Sequence, residues 1–493
     1  MQVAGHPGVG PRIEIDAVAS SLTVTELSAA SEPDGVWATI KQALAGSHRG
    51  EYTDGPIGRA ILLLAVPMVL ELVLESVFAV VDVFFVSRLG ADAVATVGLT
   101  ESMLTIIYAA AAGLSVGAMA TVARRVGERD HDGAARAAVQ AIALGLFVAV
   151  PVGSAGFWFA RPLLSMMGAS PGVLANVSFT RIVLGFNGII LTLFLVNAVF
   201  RGAGDAAIAM RVLWVANAIN IVLDPCLIFG LGPFPRLGVT GAAAATTTGR
   251  GIGVLLQLYM LSRRDGRIVI RREHLRLDPP VMMNMLRLSS SAVLQQLIAT
   301  TSWIGLVRIM ATFGSVAVAA NTIAIRIVIF ALLPAWGLAN AAATLVGQNL
   351  GAGKPDRAEA SVWRACRYNL VALGVIGALF IVFADTIVAI FTSDPAVAPL
   401  AAAGLRIFGS GFPFYAYGFV LTQSFNGAGD TWTPTVINLF CCWLGEIPIA
   451  YVLARPLGFG PHGAFWSIPI AFSSMALMST LLFRRGQWKL KRV

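Results

Sequence analysis

The amino-acid sequence consists of two similar halves. Residues 89–136 align without gaps with residues 313–360 at an offset of 224, and 12 of the 48 aligned positions are identical. A second match, at an offset of 225, pairs residues 200–205 (Phe-Arg-Gly-Ala-Gly-Asp) with residues 425–430 (Phe-Asn-Gly-Ala-Gly-Asp). Because the offset hardly changes, both halves contain segments of the same lengths. In a hydrophobic chain this tandem pattern is typical of transporters whose substrate path lies between pseudo-symmetric halves.

The composition places these halves in a membrane. Of the 493 residues, 57% are hydrophobic and 12% are charged, and the mean hydropathy is +0.78. Soluble domains carry about 25% charged residues. The net charge of +9 does not indicate nucleic acid binding, because the basic residues occupy short loops between apolar runs, where they set orientation in the membrane. We therefore expect an integral membrane protein with no nucleic acid partner.

The apolar runs predict an all-α integral membrane protein with twelve transmembrane helices in two pseudo-symmetric six-helix lobes, since a span needs about 20 mostly apolar residues. The runs lie near residues 58–87, 92–123, 134–160, 174–200, 207–231, 239–262, 283–311, 316–346, 358–391, 397–425, 432–454 and 462–483. The predicted organisation is a mostly disordered cytoplasmic tail with one short helix near residues 36–44 (1–55), an N-lobe (56–262), a cytoplasmic linker (263–282), a C-lobe (283–484) and a basic tail (485–493).

The distribution of lysine and arginine predicts that both termini are cytoplasmic. With the N-terminus inside, the inner loops and helix ends hold most of the basic residues, and the linker region alone holds seven arginines. The outer loops hold only Arg88, Arg161, Arg236 and Arg455. This asymmetry follows the positive-inside rule. Six spans per half make the halves parallel repeats, related by an axis along the membrane normal. We expect a multi-pass monomer in the cell (inner) membrane.

The linker from Arg263 to Asp278 is basic and contains no apolar run. Membrane lipids with anionic headgroups are one candidate partner for such a segment. The alternative is a solvated connector between the two lobes, with no ligand of its own.

Ionisable side chains inside the first-half spans predict an ion site, because such groups are costly at membrane depth and usually functional. They lie on one face of span 1 (Glu71, Glu75 and Asp82) and one face of span 5 (Asn217, Asn220 and Asp224). Asp82 and Asp224 lie at similar depth, about 10 Å below the outer helix ends at 1.5 Å per residue. Clustered oxygen ligands suit a proton or a hard cation such as Na⁺.

Glu71, Glu75 and Glu101 are additional acids that the ion site does not require. Glu101, in span 2, lies near the predicted depth of Glu75. The alternative interpretation of the buried acids is a structural one, in which each pairs with an arginine inside a span. Candidate partners are Arg181, Arg308, Arg326 and Arg406.

The second half lacks these acids. The repeat places Gln295 where the first half has Glu71, and only Glu446 remains as a carboxylate in the middle of a span. We therefore expect the second half to supply the substrate surface. Amides and aromatic rings could bind bulky organic cations by hydrogen bonding, stacking and cation–π contact. The candidate cavity residues are Gln295, Gln296, Glu446, Tyr108, Phe330 and Trp336.

Other motifs do not indicate catalysis. The two Gly-Ala-Gly-Asp segments lack the preceding strand and the following Lys-Ser/Thr of a phosphate-binding loop. They predict tight inner turns in which Asp205 and Asp430 cap the next helix. No cofactor, metal site or nucleophile–base pair is predicted, so an enzyme is not expected.

Together these motifs resemble the multidrug and toxic compound extrusion (MATE) family over about residues 56–484. The resemblance rests on Asp82 with the Leu89-Gly90 turn, the Gly127 and Gly351 turns, the paired Gly-Ala-Gly-Asp turns, and Asn220-x-x-x-Asp224-Pro225. It implies a two-lobed antiporter that exports organic cations and other drugs in exchange for Na⁺ or protons. The acids resemble those of the DinF-like branch, which implies that Asp82, Asn220, Asp224 and a span 6 threonine, Thr246, handle the coupling ion.

Three functions remain open at this point. The first is a cation-coupled multidrug efflux antiporter that works by alternating access. The second is a flippase for lipid-linked oligosaccharides or lipids, which would need an arginine-lined cavity for pyrophosphate. The third is a membrane scaffold or sensor that does not transport.

Overall fold

The structure is a computed structural model that describes residues 35–46, 52–263 and 266–491. The first half contains one short helix and then the N-lobe. Its helices are α1 (Val36–Ala45), α2 (Ile57–Ser87), α3 (Ala91–Gly127), α4 (His131–Met166), α5 (Pro171–Ala175), α6 (Val177–Gly185), α7 (Asn187–Ala203), α8 (Ala206–Phe229) and α9 (Val239–Ser262).

The second half repeats this order after a linker that contains one 3₁₀ turn, Arg272–Leu275. Its helices are α10 (Pro279–Ala311), α11 (Ser315–Gly351), α12 (Pro355–Ala389), α13 (Ala398–Ala428), α14 (Trp432–Asn438), a π-helix (Leu439–Glu446), α15 (Ile447–Ala454) and α16 (Gly460–Arg484). A 3₁₀ turn, Gln487–Leu490, follows α16.

Each of the twelve predicted spans corresponds to helical structure. Nine of the described spans are long and apolar enough to cross a membrane, and α6 with α7, bent by 41°, would make a tenth. The remaining two, α9 and α13, are helices of 24 and 31 residues with lower hydropathy. The sequence prediction of an all-α membrane protein with two six-helix lobes is confirmed.

Span 4 is broken rather than continuous, which corrects the predicted run over 174–200. The break lies at Phe186, between α6 and α7. Asn187 donates a side-chain hydrogen bond of 2.8 Å to the Leu184 carbonyl, and so satisfies an acceptor that the end of α6 leaves free. Helix α4 packs closely at this point, because a Cβ atom at Gly153 would lie 2.8 Å from the Gly185 oxygen.

Span 11 is also irregular, because its middle is the π-helix Leu439–Glu446. Pro448 in the following turn has no N–H to donate to the preceding turn, and such a loss favours an irregular helix. π-Helical turns are rare and occur often at functional sites. Asn438 lies just before this π-helix and Glu446 is its last residue, and the two side chains have different surroundings.

The two lobes meet through reciprocal glycine contacts. A Cβ atom at Gly113 in α3 would overlap Val293 of α10, and one at Gly337 in α11 would overlap Val69 of α2. Val69 and Val293 are separated by the same 224 residues as the two glycines. Each contact is therefore the repeat equivalent of the other, as in an interface with a two-fold axis.

The same symmetry continues to the ends of α3 and α11. A Cβ atom at Gly127 would overlap the Gln348 carbonyl, and one at Gly351 would overlap the Arg124 carbonyl. Arg124 and Gln348 are again repeat equivalents. We call this end of the bundle, with the Gly127 and Gly351 turns and both Gly-Ala-Gly-Asp turns, the basic end. Backbone contact without intervening side chains closes the lobes against each other there.

In each half, a basic residue that follows the sixth span binds the aspartate of the Gly-Ala-Gly-Asp turn. Asp205 binds Arg267 at 3.1 Å, and Asp430 binds Lys491 at 3.3 Å. Lys491 follows Arg267 by 224 residues, the offset of the repeat. The Asp205 side chain makes no helix-capping hydrogen bond, which corrects the predicted cap. The aspartates instead fix the segment that follows each sixth span.

Part of the predicted disordered tail packs against the basic end. The helix predicted near residues 36–44 is present as α1, while residues 1–34 and 47–51 lie outside the described part of the chain. Tyr52 is buried and donates a hydrogen bond of 3.1 Å to the Gly204 carbonyl. Burial raises the pKa of Tyr52 to about 12, so the phenol remains a donor at neutral pH. Lys354 of the second half binds Asp54 at 2.6 Å.

The described part of the linker packs against α4. Gln140 donates a hydrogen bond of 2.9 Å to the Arg276 carbonyl and accepts one of 3.1 Å from the Asp278 amide. His274 is buried and lies 3.3 Å from an Asp132 carboxylate oxygen. The connection between the lobes is therefore held to the N-lobe by specific contacts.

We predict that Gly127→Ala weakens closure of the basic end. The new methyl group would overlap the Gln348 carbonyl, and overpacking of this kind costs about 1–3 kcal/mol. This cost lowers the ratio of closed to open protein by about 5- to 150-fold. The measurement is maleimide labelling of purified Ser289→Cys protein in a cysteine-free background, since Ser289 is 1% exposed against Gly117 of α3. Labelling should become faster.

The matched control is Gly98→Ala in the same helix, where a Cβ atom would meet no atom within 4 Å. It should label at the parental rate. Equal labelling of the Gly127→Ala and Gly98→Ala proteins would show that the glycine contact does not hold the lobes together.

Candidate functional site

Asp82 of α2 and Asp224 of α8 form the centre of the candidate ion site in the N-lobe. Asp224 is fully buried, and Asp82 lies close enough to interact with it electrostatically. Beside them, Asn220 donates a hydrogen bond of 2.9 Å to the Thr246 hydroxyl of α9. Among the residues that the structure describes, both carboxylate oxygens of Asp224, Oδ1 of Asp82 and Oδ1 of Asn220 are buried without a hydrogen-bond partner. Four oxygen atoms are therefore available to a small cation.

Helix spacing and one glycine bring these oxygens together. Asn220 and Asp224 are one turn apart, so they lie on the same face of α8. A Cβ atom at Gly249 of α9 would lie 2.7 Å from the Ala216 carbonyl and 3.1 Å from the Asn220 Cβ atom. The glycine thus allows α9 to approach α8 closely enough for Thr246 to reach Asn220. Thr246, predicted only by resemblance, lies next to the predicted aspartates.

Glu75 and Asn217 belong to a neighbouring network, whose Arg250 also interacts electrostatically with Asp82. Arg250 of α9 binds Glu75 at 3.0 Å and donates a hydrogen bond of 3.2 Å to the Tyr108 hydroxyl. Asn217 donates to the other Glu75 oxygen at 3.3 Å. Asn217 therefore orients Glu75 rather than the unpaired oxygens near Asp224. Tyr108, predicted as a cavity residue, is an arginine partner in the N-lobe.

Glu71, like Glu75, is paired with an arginine. Arg201 binds its Oε1 atom at 3.0 Å, and Asn197 donates to that atom at 3.1 Å. Gln257 supports Asn197 through a hydrogen bond of 2.6 Å. These arginines differ from the four that the sequence suggested as partners. Arg250 lies in the middle of span 6. An arginine at that position in the sequence could have indicated a partner for a buried glutamate.

Glu101 lies outside this network, on the side of α3 that faces the other lobe. It is exposed and interacts electrostatically with Asp82 and with Arg326 of α11. The interaction with Arg326 joins the two lobes on the side away from the basic end. Glu101 is thus placed at the gap between the lobes and beside the candidate ion site.

A cavity of about 550 Å³ opens in the C-lobe, and Leu72 of α2 in the N-lobe also lines it. Gln295 and Gln296 of α10 and Trp336 of α11 line it, as the sequence predicted, together with rings from α13 and α16. Tyr415 and Phe472 have ring centroids 4.3 Å apart, and Trp336 meets Phe419 edge to face at 6.1 Å. The cavity therefore combines aromatic faces with amide groups.

Two predicted cavity residues do not line this space. Ser302 donates a hydrogen bond of 2.8 Å to Glu446 and contacts the Cys442 carbonyl at 3.0 Å. Glu446 is 2% exposed and lies behind the cavity wall that Cys442 forms. Phe330 is 49% exposed and is directed away from the lining.

A family model described as MatE matches residues 67–226 and 292–452, one segment in each half. The "Probable multidrug resistance protein NorM" of Thermotoga maritima is 26% identical over 446 residues, covering 89% of this chain and 94% of that protein. The "FAD transporter" of Shewanella oneidensis is 26% identical over 436 residues, covering 88% and 95%. A structure titled as the outward-facing conformation of a multidrug resistance MATE family transporter superposes with a TM-score of 0.82, with 26% identity and coverage of 89% and 98%.

We predict that Arg201→Ala destabilises the protein strongly, because it leaves the buried Glu71 carboxylate unpaired. Losing one partner of a buried ion pair costs about 3–5 kcal/mol. The measurement is thermal unfolding of the purified protein in detergent. Combining the change with Glu71→Ala should recover most of the loss, while Asp224→Asn alone should leave the unfolding temperature unchanged or higher.

Arg271→Ala is the matched control, since its ion pair with Glu273 lies in the linker outside the spans and is exposed, and such a pair is worth about 0–1 kcal/mol. If Arg201→Ala unfolds at the same temperature as Arg271→Ala, the Glu71 pair has no structural role.

Proposed function

This chain belongs to the MatE family, and on that basis we propose that it is a cation-coupled antiporter that exports small organic molecules. The coupling ion in this proposal is Na⁺ or a proton, held by Asp82, Asn220, Asp224 and Thr246. The proposed substrate site is the C-lobe cavity. The two sites lie in different lobes, so that ion and substrate act on each other through the relative position of the lobes.

The unpaired oxygens near Asp224 are the observation that carries this proposal. Glu71 and Glu75 each have an arginine at 3.0 Å, whereas both Asp224 oxygens are buried without a hydrogen bond. A buried carboxylate without a partner is costly, and a bound cation removes that cost. A coupling site must gain and lose a cation during each cycle, and an arginine pair would prevent such exchange. Asp82 and Asp224 meet this requirement, and Glu71 and Glu75 do not.

The contacts between the lobes support alternating access. The reciprocal glycine contacts join the lobes at the basic end, while Glu101 and Arg326, nearer the other end, interact only electrostatically. With the basic end in the cytoplasm, as the positive-inside rule favours, this arrangement is open toward the outside. Exchange of the ion would shift the balance toward a state in which the glycine contacts separate.

The names of relatives support export of small molecules but leave the substrate open. One relative is named for multidrug resistance and another for FAD, so family membership by itself does not choose between them. The flippase alternative is not favoured, because the N-lobe arginines Arg201 and Arg250 already bind glutamates. We further propose an inner-membrane location with both termini cytoplasmic, and anionic lipid headgroups as partners of the linker arginines.

We predict that Asp224→Asn and Asp82→Asn each abolish cation-driven efflux in proteoliposomes. The amide keeps the size of the carboxylate but cannot change its net charge by binding and releasing a cation. The measurement is dye efflux under a Na⁺ gradient and, separately, under a pH gradient. The gradient that drives the wild-type protein identifies the coupling ion.

Glu446→Gln is the control, since this carboxylate is bound to Ser302 and lies outside the proposed ion site. It should retain the dependence on the gradient, with any change confined to substrate affinity. Gradient-driven efflux by both aspartate variants, or loss of ion dependence in Glu446→Gln alone, would place coupling elsewhere.

A further inference from the structure

The C-lobe cavity contains three buried polar atoms that have no hydrogen-bond partner in the described part of the chain. They are Oε1 of Gln295, Oγ1 of Thr422 and Oδ1 of Asn438. All three residues line the cavity, and Thr422 and Asn438 are each 7% exposed. Two of the three atoms are amide oxygens that can only accept hydrogen bonds, and the third is a hydroxyl that can do so. Such buried acceptors are costly unless a donor reaches them.

Three different elements bring these acceptors to one cavity. Gln295 comes from α10, Thr422 from α13 and Asn438 from the last residue of α14, just before the π-helix. The neighbouring amide Gln423 is already engaged, because Asn426 donates to it at 2.8 Å. Only part of the polar lining therefore lacks hydrogen-bond partners. The unsatisfied acceptors come from separate helices and line the same cavity.

The cavity also lacks charge. Within the described part of the chain, none of the residues that line it is Asp, Glu, Lys, Arg or His. Glu446 is held behind the wall by Ser302, and Arg326 on the adjoining stretch of α11 interacts with Glu101 of the other lobe. Glu446 interacts electrostatically with the lining residues Tyr415 and Cys442, but it does not line the cavity itself. A cationic ligand would therefore lose its hydration here without a carboxylate in direct contact, which is unfavourable in a buried site.

The aromatic rings favour a flat ligand. Trp336, Tyr415, Phe419 and Phe472 all line the cavity. The interplanar angles are 84° between Trp336 and Phe419 and 20° between Tyr415 and Phe419. Ring faces therefore border the space in two orientations, and offset or edge-to-face stacking on them would hold a planar ring system.

We propose that the C-lobe cavity selects neutral, planar heteroaromatic compounds that carry N–H donors along one edge. The ring stacks among the aromatic side chains, and the N–H groups bind the acceptors of Gln295, Thr422 and Asn438. This inference rests on the proposed function for the identity of the cavity as the substrate site. It differs from the sequence expectation of organic cations, because the only mid-span carboxylate of the second half is outside the cavity.

The test compares three probes by equilibrium binding to the purified full-length protein in detergent at pH 7, without any gradient. Lumichrome is neutral, planar and has two ring N–H groups; 1,3-dimethyllumichrome has the same ring without these donors; N-methylacridinium is a planar cation without N–H groups. Lumichrome should bind at least about tenfold more tightly than either of the others, since each tenfold step corresponds to about the energy of one hydrogen bond.

Asn438→Leu should weaken lumichrome binding about tenfold and leave the binding of the dimethylated probe unchanged, because only the former uses the acceptor. Thr422→Val is the second variant, since it removes the hydroxyl at nearly constant volume and is expected to act in the same direction. Thr322→Val is the matched control, because this exposed hydroxyl bonds to its own helix at 2.8 Å outside the cavity.

Equal binding of the two lumichromes, tighter binding of N-methylacridinium, or no binding of any probe would each overturn the proposal. The result is independent of ion coupling, since Asp224→Asn protein should bind lumichrome with the same preference over its dimethylated form. Loss of coupling with intact probe selection would leave the cavity assignment standing, and coupled transport without probe selection would refute only the assignment of ligand class.

Discussion

The backbone contacts between the two lobes at the basic end are the constraint on which the other features depend. Gly127 and Gly351 allow α3 and α11 to touch main chain to main chain, and Gly113 and Gly337 repeat the same close approach nearer the middle of the bundle. Only residues without a Cβ atom fit these positions. The identical glycines that mark the repeat in the sequence are therefore the points at which the repeat packs against itself.

Charged residues are distributed asymmetrically between the two symmetric lobes. In the N-lobe, arginines neutralise Glu71 and Glu75 but leave Asp224 with unpaired oxygens. In the C-lobe, the one mid-span carboxylate is bound behind the cavity wall. A pseudo-symmetric pair of lobes can thus separate two tasks, with exchangeable charge on one side and a neutral, aromatic binding space on the other. In the proposed mechanism, the lobe interface couples these tasks because ion and substrate both act on the relative position of the lobes.

The sequence predicted the helices and the two-lobe arrangement well, because the patterns that indicate them are local or repeated. Apolar runs of span length predicted the helices, and the 224-residue offset predicted that Gly113 and Gly337 occupy equivalent positions in the two halves. The sequence also placed Asp82, Asn220 and Asp224 together, because helical spacing fixes which side chains share a face. Gln295 and Trp336 line the cavity as expected.

The sequence did not predict features that depend on long-range packing or on irregular helices. The pairing of Glu71 with Arg201 joins residues 130 positions apart, and no local pattern identifies Arg201 as the partner. Similarly, no local pattern shows that Ser302, 144 residues away, holds the Glu446 carboxylate outside the cavity. The position of Asp205 before a helix predicted a cap, but its carboxylate binds Arg267, which comes later in the chain.

The central claim is that a cation held at Asp224 and a substrate held in the C-lobe oppose each other's binding. The most direct measurement is the dissociation constant of one transported substrate for purified wild-type and Asp224→Asn protein, as a function of Na⁺ concentration and pH. Because linkage is reciprocal, the wild-type constant should rise with the concentration of the coupling ion, and the constant of the variant should not change. A wild-type constant independent of both ions, or the same ion dependence in the variant, would contradict this account.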